Sequence, residues 1–181
     1  QITRWIYRLC GVIPKAKQDG KQSPCPLLFF GAVPFLVTSG IERLQHTRPL
    51  NPQNFPPVPA DLAWNTASSF TTNTNWQNYG GELVMSYLTQ MAGLAWHNFL
   101  SAGVGLCVAL TLARGLTYRR QPEQPKTLGN FWVDLIRSIV YVFLPICIPV
   151  TLLLVSQGVI QNFSSYVDVT TLEGAKQTIA M

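Results

Sequence analysis

The chain has 181 residues, 48% of them hydrophobic and 12% charged, with a formal net charge of +5. Soluble domains carry about a quarter charged residues, so this depletion and a positive mean hydropathy of +0.19 argue against a soluble enzyme and for an integral membrane protein. The basic residues flank apolar runs, which argues against a nucleic-acid-binding surface.

Residues 1–26 form a basic segment, with Arg4, Arg8, Lys15, Lys17 and Lys21 against Asp19. A first apolar run, LLFFGAVPFLVTSGI at 27–41, predicts a span over about 27–45. Pro24, Pro26 and Pro34 weaken it as a regular helix. RPLNPQNFPPVPA at 48–60 holds five prolines, which exclude helix and central strand and predict an extended surface connector. Asp61 offers an N-cap to a short helix over about 62–70. That helix is too short to cross a bilayer and is expected to be re-entrant or surface-lying.

The strongest predicted helix covers 83–113, with Gly93, Ser101, Ala102, Gly103 and Gly105 providing small faces for close packing. A basic loop follows over 114–130, with Arg114, Arg119, Arg120 and Lys126 against Glu123. A further span is expected over 131–155, kinked at Pro145 and Pro149, with Arg137 near its start able to snorkel. Residues 156–181 complete the chain. Lys and Arg cluster at 1–25 and 114–137, whereas 44–113 carries only Arg48 and the stretch after 155 only Lys176. The positive-inside rule therefore places 1–26 and 114–130 in the cytoplasm, and the connector, 61–82 and 156–181 outside.

The stretch DLAWNTASSFTTNTNWQNYGGE at 61–82 carries a charge only at each end and is dense in hydroxyl and amide groups. Such a neutral segment between two spans suits backbone at membrane depth that lines an ion path. Extended backbone can aim successive carbonyls at one axis and replace a cation's hydration shell, and no formal charge is needed for a monovalent ion. Gly80 and Gly81 would permit a tight return into the next helix, and Trp76 and Tyr79 would suit the outer interface. The competing reading is a polar outer loop in which NTNW and NYGG form turns. One such hairpin cannot enclose an ion, so a ring needs several copies.

Cys10, Cys25, Cys107 and Cys147 form no C-x-x-C pair and read as small core hydrophobes. His46 and His97 lie in different segments, and His97–Asn98 reads as an interhelical hydrogen-bonding pair rather than a metal ligand. Glu82 and Asp134 sit at helix starts, where the helix dipole is sufficient explanation; Glu82 would alternatively attract cations to the outer mouth. Ser68 and Ser69 lack a nucleophile elbow, and neither a phosphate loop nor a DKTG-type motif occurs. The chain begins without Met, shows no cleavable leader and ends at Met181 without a tail-like composition, so both ends are expected to be cuts in a longer polypeptide.

NTASSFTTNTNWQNYGGE closely resembles the first pore-loop signature of the KdpA family, the potassium-binding subunits of the Kdp potassium-transporting P-type ATPase. PLNPQ at 49–53, YLTQMAGLAWHNFLSA at 87–102, TLGNFWVDLIR at 127–137, QGVIQNF at 157–163 and VTTLEGA at 169–175 extend the resemblance over nearly the whole chain. The resemblance implies an all-α integral membrane protein of the bacterial plasma (inner) membrane, multi-pass, built from membrane helix–pore loop–membrane helix repeats. Residues 27–113 would be the first repeat, with pore helix 62–70 and filter 71–77, and 131–155 the first helix of the second. Thr72, Asn73, Thr74 and Asn75 would supply one quarter of a potassium filter through backbone carbonyls, with Thr71 and Gln77 adjacent to it.

The implied function is non-catalytic: potassium is bound, selected and translocated while a P-type partner subunit hydrolyses ATP. Small accessory membrane subunits and the lipid bilayer are the other expected partners, with no organic cofactor, no other metal and no nucleic acid. The alternatives are a four-repeat potassium channel or symporter pore without an ATPase, or a structural membrane anchor. The family's opening helix and three further filters are absent, Thr71 stands where an apolar residue is more usual, and 15–48 is unusually rich in proline and charge.

Overall fold

The fold is described from a computed structural model, covering residues 2–16, 18, 19, 22, 24–117, 127–160 and 162–179. The calls on Lys17, Lys21, Arg119, Arg120, Glu123 and Lys126 lie outside the described residues. The elements are, in order, α1 (Ile2–Leu9), α2 (Pro24–Leu44), a 3₁₀ turn (Gln45–Thr47), α3 (Ala60–Thr71), α4 (Gly81–Val84) and α5 (Trp96–Thr117). There follow α6 (Phe131–Arg137), α7 (Leu144–Ser156) and a hairpin of β1 (Val167–Thr170) and β2 (Lys176–Ile179). π-helical turns at Thr89–Ala95 and Ser138–Phe143 lead directly into α5 and α7.

Among the described residues, three continuous helical stretches, Pro24–Thr47, Thr89–Thr117 and Phe131–Ser156, are long and apolar enough to cross a membrane. At about 1.5 Å per residue each reaches or exceeds a bilayer core of about 30 Å. The prolines of α2 do not break it: Pro24 and Pro26 fall in its first turn, where no intrahelical N–H is needed, and Pro34 is accommodated inside. Its outward residues, among them Leu28, Phe29, Val33, Leu36 and Val37, are apolar, whereas Thr38, Glu42 and Gln45 are buried. A bilayer as solvent favours this arrangement, with lipid-facing hydrocarbon and polar groups turned inward.

The single helix expected over 83–113 is interrupted. α4 stops at Val84, Met85 adopts an extended conformation (φ −108°, ψ 125°), and helical structure resumes after Ser86. Gln45 explains the interruption, because its side chain binds the backbone exposed by the break, as described below. The connector over 48–60 is folded rather than extended: Asn51 brackets Phe55 through both backbone groups (2.9 and 3.0 Å), and Leu50 and Asn54 take positive φ. Asp61 lies in the first turn of α3, while the N-cap is Pro59, without a side-chain cap.

The described residues form two compact units, each with its own contacts. In the first (1–32 and 100–152), Cys107, Phe131 and Leu135 form a buried cluster flanked by Phe30 and Trp132, whereas Cys10, Cys25 and Cys147, expected in the core, are exposed. Asn130 caps α6, its Oδ1 accepting from the N–H groups of Trp132 (3.1 Å) and Val133 (3.3 Å). Asp134, read from sequence as a dipole partner only, also accepts a two-pronged bond from Arg114, one prong at 3.0 Å. The Asp134 side chain is 7% exposed and that of Arg114 39%. Asp134→Leu is expected to destabilise by about 2 kcal/mol, because Arg114 loses its counter-charge while still partly wet. Adding Arg114→Leu should recover most of that loss, and thermal unfolding of the two variants in detergent checks it.

In the second unit (33–99 and 153–179), Val58, Ala63, Phe70, Met85 and Leu94 form the core, with Tyr79 and Val84 packed against it. The hairpin, absent from an all-helical expectation, pairs Val167 with Ile179 and Thr170 with Lys176. The segment before it is fastened to the helix break: Tyr87 donates to the Ser164 carbonyl (2.7 Å), and Tyr87 and Tyr166 meet edge-to-face at 5.1 Å.

Candidate functional site

α3 buries Ala63, Thr66, Ala67, Ser69 and Phe70 along one face and ends at Thr71, one residue beyond its predicted stop. Thr71, expected at the edge of an extended segment, is therefore helical. The next four residues all turn their N–H groups back onto the helix. Thr72 donates to the Ser68 carbonyl (3.1 Å) and Asn73 to Phe70 (3.2 Å). Thr74 and Asn75 both donate to Ser69, at 3.0 and 3.2 Å. These bonds satisfy carbonyls that the helix end would otherwise leave open.

The geometry of the peptide unit gives this a consequence. In a planar trans peptide, each carbonyl points opposite to the N–H of the following residue. With the N–H groups of Asn73, Thr74 and Asn75 tied to α3, the carbonyls of Thr72, Asn73 and Thr74 are turned away from it. The row ends at Trp76, whose carbonyl points back to accept from Ser69 Oγ (3.0 Å).

The turn is made by asparagines. Asn73 and Asn75 both have φ of 57°, a left-handed conformation that asparagine tolerates better than most residues. Gly80 and Gly81, expected to supply the tight return, have no positive φ; Gly80 is extended (φ −84°, ψ 120°). Gly81 instead allows close approach, since a Cβ there would come within 2.7 Å of Gln90 Nε2.

Side chains brace the strip. Thr72 Oγ1 lies 2.8 Å from Thr74 Oγ1 and donates to the Ser68 carbonyl at 3.0 Å. Asn75 Nδ2 donates to Asn73 Oδ1 (3.2 Å), while Asn75 Oδ1 is buried without a partner among the described residues. Gln77 is exposed. Tyr79, expected in an interfacial belt, packs into the core instead. Burial pushes its phenol up, and neighbouring Glu42 adds to this. Trp76 is 48% exposed, as an interfacial indole requires.

Electrostatics favours a cation here. The α3 C-terminus places the negative end of a helix dipole at the strip, worth roughly 0.3–1 kcal/mol to a nearby positive charge. The carbonyl row presents oxygen without a formal charge, so a monovalent ion can be held and released.

His97 and Gln45 support the site from outside the motif. His97 is 3% exposed, with Nδ1 3.0 Å from Thr38 Oγ1 on α2 and Nε2 3.3 Å from Thr71 Oγ1 on α3. Its interhelical role was legible in the sequence; its two partners were not. Gln45 carried no signal beyond being a polar residue at the end of an apolar run.

The family model described as "Potassium-transporting ATPase A subunit", KdpA, matches residues 1–181. The chain is 50% identical over 180 residues to the potassium-transporting ATPase potassium-binding subunit of Nitratidesulfovibrio vulgaris strain Hildenborough, covering 99% of this chain and 31% of that protein. It is 52% identical, with the same coverage, to the potassium-binding subunits of Methylobacterium nodulans and Pseudomonas aeruginosa PAO1. The chain thus spans 31% of the length of these curated relatives. A match over the whole chain, together with three membrane-length helices and a short helix ending in a carbonyl row, places this multi-pass membrane protein in the KdpA family.

Proposed function

We propose that the chain forms part of the potassium-binding and translocating subunit of an ATP-driven potassium uptake complex in the bacterial plasma membrane. Thr72, Asn73, Thr74 and Asn75 supply one wall of the filter, and Thr71 and Gln77 flank it. Residues 27–113 act as the first membrane–pore–membrane repeat and 131–155 as the first helix of the second. Residues 1–26 and 114–130 face the cytoplasm, and 156–181 the outside. The subunit itself is not catalytic: a P-type partner hydrolyses ATP, and small accessory membrane subunits complete the complex.

The observation that carries this reading is the strip's polarity, with N–H groups of four successive residues spent on α3 and carbonyls turned the other way. Potassium sheds water into the row, and other repeats close the ring that one wall cannot.

The test is potassium-stimulated ATP hydrolysis by the assembled complex bearing Asn75→Ala or Gln77→Ala. Apparent potassium affinity should fall about tenfold or more in the first, about 1.4 kcal/mol or more, because alanine is strained at the positive φ of Asn75, and by less in the second. Parental affinity and selectivity in both variants would remove the site assignment.

A further inference from the structure

We infer that His97 is a positioning residue for the filter, holding the last turn of α3 against α2 so that the carbonyl row sits at a fixed depth. This rests on the filter reading above. His97 reaches Thr38 with one ring nitrogen and Thr71 with the other, at 3.0 and 3.3 Å, and both His97 and Thr38 are buried. Each nitrogen faces a hydroxyl, which can donate or accept, so the neutral ring satisfies both contacts in either tautomer. A flat ring with two polar edges is a stiff spacer, unlike a flexible side chain that makes one bond.

What the spacer holds is the turn from which the filter hangs. Thr71 directly precedes Thr72, and Ser69, two residues back, accepts from Thr74 and Asn75 and donates to Trp76. A shift of the 69–71 turn therefore moves the whole row. Productive site geometry requires placement within about 0.5 Å, and the volume filled by His97 does not ensure that without its hydrogen bonds. Gly93, one turn earlier, helps α2 approach: its Cβ position lies 3.8 Å from the Thr38 methyl.

The experiment compares His97→Leu with His97→Gln in the assembled, membrane-embedded complex, reading potassium affinity, rubidium-to-potassium preference and maximal ATP hydrolysis. Leucine fills similar space without bonding. Glutamine spaces its amide oxygen and nitrogen much like the two ring nitrogens. His97→Leu should weaken apparent potassium affinity about fivefold, roughly 1 kcal/mol, and relax ion preference, with maximal rate nearly unchanged. His97→Gln should recover most of the affinity. Thr71→Val, which removes only the hydroxyl, should weaken affinity in the same direction and serves if His97→Leu does not assemble.

Parental affinity in His97→Leu, or in Thr71→Val where the leucine variant fails, overturns the inference. So does a glutamine variant no better than leucine. Asn75→Ala run in parallel separates the two levels. If it weakens affinity while the His97 variants do not, only the brace is wrong; if none of them changes affinity, the filter reading fails as well.

Discussion

Gln45→Leu is expected to lower stability by roughly 3–5 kcal/mol, the largest loss from any single side chain considered. Gln45 is 1% exposed and uses every polar atom of its amide. Its nitrogen donates to the carbonyls of Pro56 (2.7 Å) and Val84 (2.9 Å). Its oxygen accepts from the Ser86 N–H and the Thr89 hydroxyl, both at 3.0 Å. One side chain at the end of α2 thus satisfies the folded connector, the last turn of α4 and the first residues after the break. Leucine would strand the buried Ser86 N–H and take the donor from the partly buried carbonyls of Pro56 and Val84; the Thr89 hydroxyl retains Ser86 Oγ at 3.0 Å. Each stranded group costs about 1–3 kcal/mol.

At about 2–4 °C per kcal/mol for a domain of this size, the unfolding midpoint in detergent should fall by roughly 10 °C. Gln45→Glu separates hydrogen bonding from volume. It keeps the acceptor but turns a carboxylate oxygen toward two carbonyl oxygens, so it should be no better than leucine. A glutamate variant as stable as the parent would show that the donor half of the bracket contributes nothing.

The second large effect concerns the backbone of the proposed filter. Asn73 and Asn75 both sit at φ 57°. If potassium meets backbone carbonyls, the conformation at these positions should matter more than the amide side chain. Glycine adopts this φ freely, whereas a β-branched residue is a genuine outlier there and costs at least about 1–2 kcal/mol. Asn73→Gly and Asn75→Gly should therefore keep apparent potassium affinity within roughly threefold, about 0.65 kcal/mol. Asn73→Val and Asn75→Val should lose at least about tenfold, or 1.4 kcal/mol. Potassium-stimulated ATP hydrolysis of the assembled complex reads all four. Equal losses for glycine and valine would mean that the amide groups, not the backbone, make the site.

Several features of the molecule were legible before its fold was known because they rest on local chemistry. Apolar runs long enough for a bilayer mark spans whatever surrounds them, and the neutral Thr/Asn segment stands out against its neighbours. His97, a polar residue on an apolar helix, has to find a partner once water is gone. Other features depend on residues far apart in sequence. The break at Met85–Ser86 is stable only because Gln45, some forty positions earlier, supplies the bonds the helix gives up. The tight turn falls on Asn73 and Asn75 rather than on Gly80 and Gly81, because Ser69 holds two successive N–H groups and forces that curvature.

The sequence by itself determined the membrane class, the approximate spans, the family and the segment we propose as the site. Hydropathy, charge distribution and motif are properties of neighbours along the chain. Only the tertiary structure decided which way the peptide groups of 72–75 face, that Thr71 closes a helix rather than opening a strand, and that α2 and α3 are pinned through His97. Those outcomes depend on which distant donor reaches which carbonyl, and such pairings are settled when the helices pack.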